Sequence, residues 1–396
     1  MSFAELGETP EAIMPAVQST LAIKGGDAAA RKDWPRWPVW DDRERSELLG
    51  VLESGDWWFG KKVQEFEKQF AAFHGVGFGV TCTNGTTAIE MGLRGLGILP
   101  GDEVIVPAYT FIATASAVIT VGAIPIFADI DPETLCIDPQ DVERKITARA
   151  GRTRAIIPVH VGGQFADMDR LVPLARKHHL GILEDAAHAS GSMWQGEGGH
   201  GPGTLGDCAT FSFQASKNIT AGEGGILLTN NEELAELCRS FSHIGRTRGG
   251  QWYQHEYLGS NLRMTEFQAA ILLAQLTRLK QQTLRRQASA RILDEALRDV
   301  PGIHVLRPDS RMTKGGRRSY HMYIFRVEQE RLGIPRDRFM EALLAEGVPA
   351  SRGWWQPIYR NPLFQNVGAG PPHPIRSPLA PPPERGRGLY RRSLPG

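Results

Sequence analysis

Lys217 lies in FSFQASKNITAGEGG, residues 211–225, among small and apolar neighbours and with three glycines in the eight positions that follow it. A lysine amine is nucleophilic only when neutral, and a semi-buried, glycine-bordered setting lowers its pKa by penalising the ammonium form. Schiff-base formation with a carbonyl is the chemistry that fits, although a surface lysine in a loop would look the same on this stretch alone. Upstream, LGILEDAAHASG reads as an apolar strand ending in Glu184 and Asp185, with His188 close behind. Such an acid either caps the next segment or faces a ligand, because wound parallel sheets bind ligands beyond the carboxyl ends of their strands. Further upstream, TCTNGTTAIEMGLRGLGI reads as a strand, a tight Asn84-Gly85 turn and a helix. The start of that helix offers backbone N–H groups and the Thr86 hydroxyl to a phosphate, although NGT alone is common in ordinary turns. Together the cradle, the acid and the lysine match the needs of pyridoxal 5'-phosphate: a phosphate site, a carboxylate against the pyridine nitrogen and an amine for the aldehyde.

Elements must bring these three stretches together. Short β-branched runs at 104–106, 124–127, 155–159 and 181–183 alternate with longer amphipathic stretches, the rhythm of a mainly parallel α/β sheet wound with helices. Residues 44–74 carry helical spacing interrupted at SGDWWFG. Residues 265–299 contain no Pro or Gly and open with Thr265 and Gln268 in capping-box spacing, so a long helix is expected to leave the sheet domain. Strand-like YHMYIFRV and helical PRDRFMEALLAEGV then suggest a smaller α+β unit. The expected organisation is an N-terminal arm over 1–45, a large cofactor domain over 46–290, a small C-terminal domain over 291–367 and a tail over 368–396. That tail has eight prolines and five arginines in 29 residues and is read as disordered.

Lys plus Arg number 45 against 44 Asp plus Glu, a net charge of +1 that favours small-molecule chemistry over nucleic acid or an anionic membrane. Cys82, Cys136, Cys208 and Cys238 are far apart with no C-x-x-C pair, so neither a disulfide framework nor a metal site is expected and a reducing cytoplasm fits. The acidic N-terminal stretch and the lack of a long apolar run point to a soluble protein.

The stretches NGTTAIEMGLRGLGILPGDEVIVPAYTFIATASAV, PVHVGGQFADMD, EDAAHASGS, FSFQASKNITAGEGGILLTNN and GSNLRMTEFQAAI resemble the DegT/DnrJ/StrS family of pyridoxal-phosphate sugar aminotransferases, of the aspartate-aminotransferase-like fold type I. The resemblance runs from about residue 20 to about residue 365. It implies a seven-stranded-type sheet sandwiched by helices, Lys217 as the Schiff-base lysine, Asp185 as partner of the pyridine nitrogen and His188 near the phenolic oxygen. Phe111 would stack on the ring, and Gly85, Thr86 and Ser212 would hold the phosphate. Asn261 would reach the phosphate of a neighbouring subunit, which implies a homodimer. His160 and His321 fall in stretches that resemble substrate-facing segments, although each has an ordinary structural use. Arg246 and Arg248 fit a phosphorylated substrate or, more simply, a solvated loop.

The implied reaction moves an amino group from glutamate or glutamine to a keto-sugar, nucleotide-linked or not, or to a keto-cyclitol, in amino sugar, polysaccharide or antibiotic biosynthesis. A sugar dehydratase or an enzyme like aminohydroxybenzoate synthase is the nearest alternative, because WPRWPVWDD and GDWWFG resemble the latter. Non-transaminating dehydratases of the family replace the lysine by histidine, and Lys217 argues against them. A non-catalytic cofactor-binding regulator is a third reading, and the departure of the tail from the family pattern is its one support.

Overall fold

A computed structural model describes residues 20–30, 34–149, 151–194, 200–307, 316–354 and 356–365. The expectation for the tail, 368–396, and residues 1–19 and 31–33 of the expected arm lie outside the described residues.

Strands β1 (Phe78–Cys82), β2 (Glu103–Pro107), β3 (Ile124–Ala128), β4 (Thr153–Ile156), β5 (Gly181–Asp185), β6 (Cys208–Ser212) and β7 (Gly225–Thr229) form one sheet in the order β1-β7-β6-β5-β4-β2-β3. The pairs from β6 through β5, β4 and β2 to β3 are parallel, and β7 is antiparallel to both β6 and β1. The carboxyl ends of the parallel strands therefore share one edge, and β7 starts at that edge with Gly225 opposite both Ser212 and Cys82.

Strands covered on both faces need apolar residues at successive positions, not alternate ones. Val104, Val106, Leu183, Cys208 and Leu227 pack on one face against α3 (Gly85–Gly95), α4 (Ala113–Thr120) and α7 (Glu232–Ser242). Ile105, Ile156 and Ile182 face the other way, toward α5 (Pro139–Ala148) and α6 (Met168–Lys177). On that second face Ala209, Phe211, Ile226 and Leu228 meet α2 (Lys61–Phe73) and α8 (Glu266–Leu297). The helix α1 (Asp42–Ser54) precedes α2, and the break between them falls at the expected SGDWWFG.

Two expectations are trimmed. The run 155–159 pairs as β4 only to Ile156, because Pro158 has no N–H to give the ladder; its carbonyl instead accepts from the Asp185 N–H at 2.8 Å. Of YHMYIFRV only β9 (Phe325–Val327) pairs, antiparallel with β8 (Ile303–Val305). Tyr320, at φ 43°, bends the preceding residues away from strand geometry. The capping box of Thr265 and Gln268 does start the long helix α8. After β9 come α9 (Gln329–Leu332) and α10 (Arg336–Ala345).

The segment before α1 straps these parts together. Backbone N–H groups of Ala22 and Ala29 donate to the Glu346 carboxylate at 2.8 and 2.9 Å, and Trp34 Nε1 donates to the Gly347 carbonyl at 2.7 Å. Trp37 Nε1 then donates to the Ala215 carbonyl at 3.0 Å, beside Lys217 in sequence.

Candidate active site

A cavity of about 790 Å3 opens at the carboxyl edge of the sheet, and its lining includes Gly85, Thr86, Phe111, Asp185, His188, Ser212, Lys217 and His321. Eight of the twelve residues singled out from sequence, with Arg246 and Arg248 not among them, thus meet in one place. Asn261 does not: it is exposed, and its backbone bridges to His243. His160 does not either, and the expectation of a substrate contact is corrected by its surroundings. It is fully buried, its Nδ1 accepts from the Ala166 N–H at 3.2 Å, and Nε2–H donates to Glu184 at 2.9 Å. Glu184 also accepts the N–H groups of Gly203 and Gly206, at 3.1 and 2.8 Å. Glu184 and Asp185 are consecutive in a strand and so point to opposite faces. The first holds a buried turn, and the second faces the cavity.

Asp185 is held by the Thr114 hydroxyl, which donates to Oδ2 at 2.8 Å, and by the Ala187 N–H, which donates to Oδ1 at 3.2 Å. Burial nevertheless raises its pKa, outweighing these bonds and the charge of Lys217. A buried carboxylate in this state gains from a cationic N–H brought against it. Lys217 sits in a turn, its backbone N–H donating to the Gln214 carbonyl at 2.8 Å. Burial lowers the pKa of its amine, against the pull of Asp185, which enlarges the neutral, nucleophilic fraction.

The expected phosphate cradle falls at the start of α3. Asn84 is its N-cap, with Oδ1 accepting from Thr87 N–H at 3.0 Å while the Thr87 hydroxyl accepts from Asn84 N–H at 3.2 Å. The expected tight turn is therefore a capping box, which leaves the first N–H groups of the helix to face the cavity. Close approach explains two glycines. A Cβ on Gly85 would stand 2.7 Å from Ser212 Cβ, and one on Gly225 would stand 2.3 Å from the Asn84 carbonyl oxygen. The end of β6 thus presses against the helix start and brings the Ser212 hydroxyl close to Gly85. Phosphate donors, a buried acid and an amine of lowered pKa occupy one cavity, and this set fits pyridoxal phosphate.

Two histidines face the site in complementary states. Gly162 N–H donates to His188 Nδ1 at 3.3 Å, so Nε2 carries the proton, and burial holds the ring's pKa well below its usual value. His321 stands 4.5 Å away, ring to ring, and its Nδ1–H donates to Asn218 Oδ1 at 3.3 Å. Its Nε2 is left as a lone pair, and burial, then Lys217 and Arg286, push its pKa down to about 3. Asn218 is oriented by its own Nδ2, which donates to Ser319 O at 2.9 Å. Trp354 stacks on His188 at 5.9 Å and 12°. Thr114, Asn218 and Trp354 escaped the sequence reading. Thr114 had a faint signal, the hydroxyl that closes YTFIAT.

The family model described as the DegT/DnrJ/EryC1/StrS aminotransferase family matches residues 38–376. The chain is 39% identical over 349 residues to the 3-amino-5-hydroxybenzoate synthase of Amycolatopsis mediterranei, covering 86% of each chain. It is 37% identical over 365 residues to the L-glutamine:2-deoxy-scyllo-inosose aminotransferase of Micromonospora echinospora, covering 87% of this chain and 84% of the relative. Its fold matches the crystal structure of a 3-amino-5-hydroxybenzoic acid synthase with a TM-score of 0.77, at 38% identity and 85% coverage of each chain.

Proposed function

The chain belongs to the DegT/DnrJ/EryC1/StrS aminotransferase family, and from that premise we propose that it moves the amino group of glutamate or glutamine to the ketone of a cyclitol or sugar. It is a pyridoxal-phosphate-dependent transaminase, and the observation that carries the reading is Lys217 and Asp185 facing one cavity at the start of α3. Pyridoxal phosphate, when bound, supplies the carbonyl that takes up the amino group and the ring that draws electrons from the reacting carbon.

The chain's own residues do the rest. Lys217 anchors the cofactor through its amine and, once released, moves the proton at the substrate carbon; positioned general-base catalysis of this kind contributes roughly 10²–10⁴-fold. Its lowered pKa favours that role. Asp185, steadied by Thr114, keeps the pyridine nitrogen protonated. Gly85, Thr86 and Ser212 hold the phosphate, and Phe111 offers a ring face. His188 presents an N–H and His321 a lone pair, so one can donate to an oxygen where the other accepts from a hydroxyl.

In this reading the working unit is a homodimer, with Asn261 of each subunit completing the neighbour's phosphate site; the exposure of Asn261 outside its own cavity supports it. The four free, buried cysteines support a reducing, cytoplasmic setting. The similarity to the Amycolatopsis synthase favours a second reading, in which dehydration to an aromatic product follows.

The test is to load the purified protein with pyridoxal phosphate, reduce it with borohydride and map the labelled peptide, then to supply L-glutamine with 2-deoxy-scyllo-inosose. A label on Lys217 and an aminated cyclitol are expected. A label elsewhere in a folded sample overturns the reading, and an ultraviolet-absorbing aromatic product from an aminated cyclohexenone carboxylate selects the second one.

A further inference from the structure

An amino-acid donor carries a carboxylate on the same carbon as its amine, whereas a ketone of a cyclitol has none, and both must react beside Lys217. Among the described residues that line the cavity, the one lysine or arginine is Lys217 itself, which the reaction occupies. Among the described residues, a cationic partner for the donor's carboxylate therefore stands behind that lining, unless another chain supplies it.

Arg286, on α8, is linked to that lining through Trp37, whose partner Ala215 lies between Gln214 and Ser216 of the cavity wall. Its guanidinium carbon lies 5.0 Å from the centre of the Trp37 ring, and Trp37 is fixed in turn by its bond to the Ala215 carbonyl. Nη1 is buried with no hydrogen-bond partner, and no carboxylate among the described residues forms an ion pair with Arg286. Burial lowers its pKa with no opposing charge to raise it, and its field is one of those that depress His321 in the cavity wall. A guanidinium taken out of water without an anion is costly, and the geometry that makes it worthwhile is one in which an anion arrives. Stacking on an aromatic face keeps its planar fork in place while it waits.

Resting on the aminotransferase reading, we propose that Arg286, steadied by Trp37, receives the α-carboxylate of the amino donor beside His321 and so selects amino acids as donors. The acceptor, lacking that group, does not use it.

The two half-reactions separate the consequences. In a single-turnover assay on the pyridoxal-phosphate-loaded enzyme, Arg286→Met should weaken L-glutamate, read from the change in the cofactor's visible band, by roughly 10- to 100-fold. Enzyme preloaded with pyridoxamine phosphate should aminate the ketone at the wild-type rate. The wild type should prefer L-glutamate to 4-aminobutyrate, which lacks only the α-carboxylate, and Arg286→Met should lose that preference, with Arg286→Lys between the two. Because Met removes an unpaired buried charge, the variant's melting temperature should hold or rise. An equal fall in both half-reactions, an unchanged donor preference, or a lower melting temperature with donor affinity intact would overturn the proposal and make Arg286 a structural cation. A wild type that reacts with no amino acid would overturn the aminotransferase reading instead.

Discussion

Burial acts on Asp185 and Lys217 in opposite senses, raising the pKa of the first and lowering that of the second, so each is biased toward its neutral form. For Asp185 the sign is as follows: a folded pKa above the unfolded one stabilises the fold at low pH, and this is lost as pH rises through the raised value. At neutral pH the ionised group is therefore a burden until a pyridinium meets it. Asp185→Asn should raise the melting temperature of the cofactor-free protein at pH 7, weaken cofactor binding and cripple turnover; a lowered melting temperature would contradict this. Lys217→Ala should abolish turnover and still bind pyridoxamine phosphate, measured by calorimetry. Gly85→Ala should weaken cofactor binding, since its methyl would stand against Ser212 and overpacking of this kind costs about 1–3 kcal/mol. At this scale the sequence was readable where a residue's position follows from its type and place at a strand end, as for Lys217 and Asp185, which both line the cavity. It was not readable for His160, because EDAAH and PVH do not say on which face of the sheet a side chain falls.

The helix α2 shows what sequence hides between elements. No side chain of its own N-cap, Gly60, bonds its first N–H groups; the Glu266 carboxylate from the start of α8 accepts from Gly60, Lys62 and Val63 at 2.8–2.9 Å. Its other end stops at His74, whose Nδ1–H donates to the Phe70 carbonyl at 3.1 Å while Nε2 accepts from the Gly191 N–H at 3.3 Å. Local patterns such as the Thr265 capping box were legible, but a helix start satisfied by a carboxylate some two hundred residues away leaves no local trace. Glu266→Ala should cost roughly 2–3 kcal/mol and speed amide exchange in the first turn of α2, because three donors lose their partner. Burial holds His74 at about 4, against an ordinary value of 6.5. The unfolded chain takes up the proton first, so stability falls as pH drops from about 6.5 to about 4, by about 3 kcal/mol in total. Proton uptake on unfolding at pH 5 should be smaller in His74→Gln by close to one proton. His321 acts with the same sign down to about 3, so the wild type retains a slope below pH 4.

Across the whole molecule, the order of cradle, acid and lysine was legible because each falls at the carboxyl edge of a parallel sheet, where topology alone gathers them. The strap from Glu346 through Trp37 to Ala215 was not, since nothing in WPRWPVW names a partner so remote in the chain. The proposed homodimer gives a test at this scale. Mixing inactive Lys217→Ala subunits with inactive Asn261→Ala subunits should restore part of the activity, because one of the two mixed sites carries neither lesion; no recovery from subunits shown to exchange would refute a shared site. The neighbouring acids of β5 have a further consequence, for which changes the chain can tolerate. Glu184 serves the buried turn and Asp185 the cavity purely by parity along the strand. Removing one residue within Gly181–Leu183 would exchange their duties, sending the longer acid toward the cofactor and the shorter one toward His160. Chain length at this strand is therefore fixed more tightly than its composition: it admits substitutions one at a time, but a single-codon insertion or deletion is a change of function.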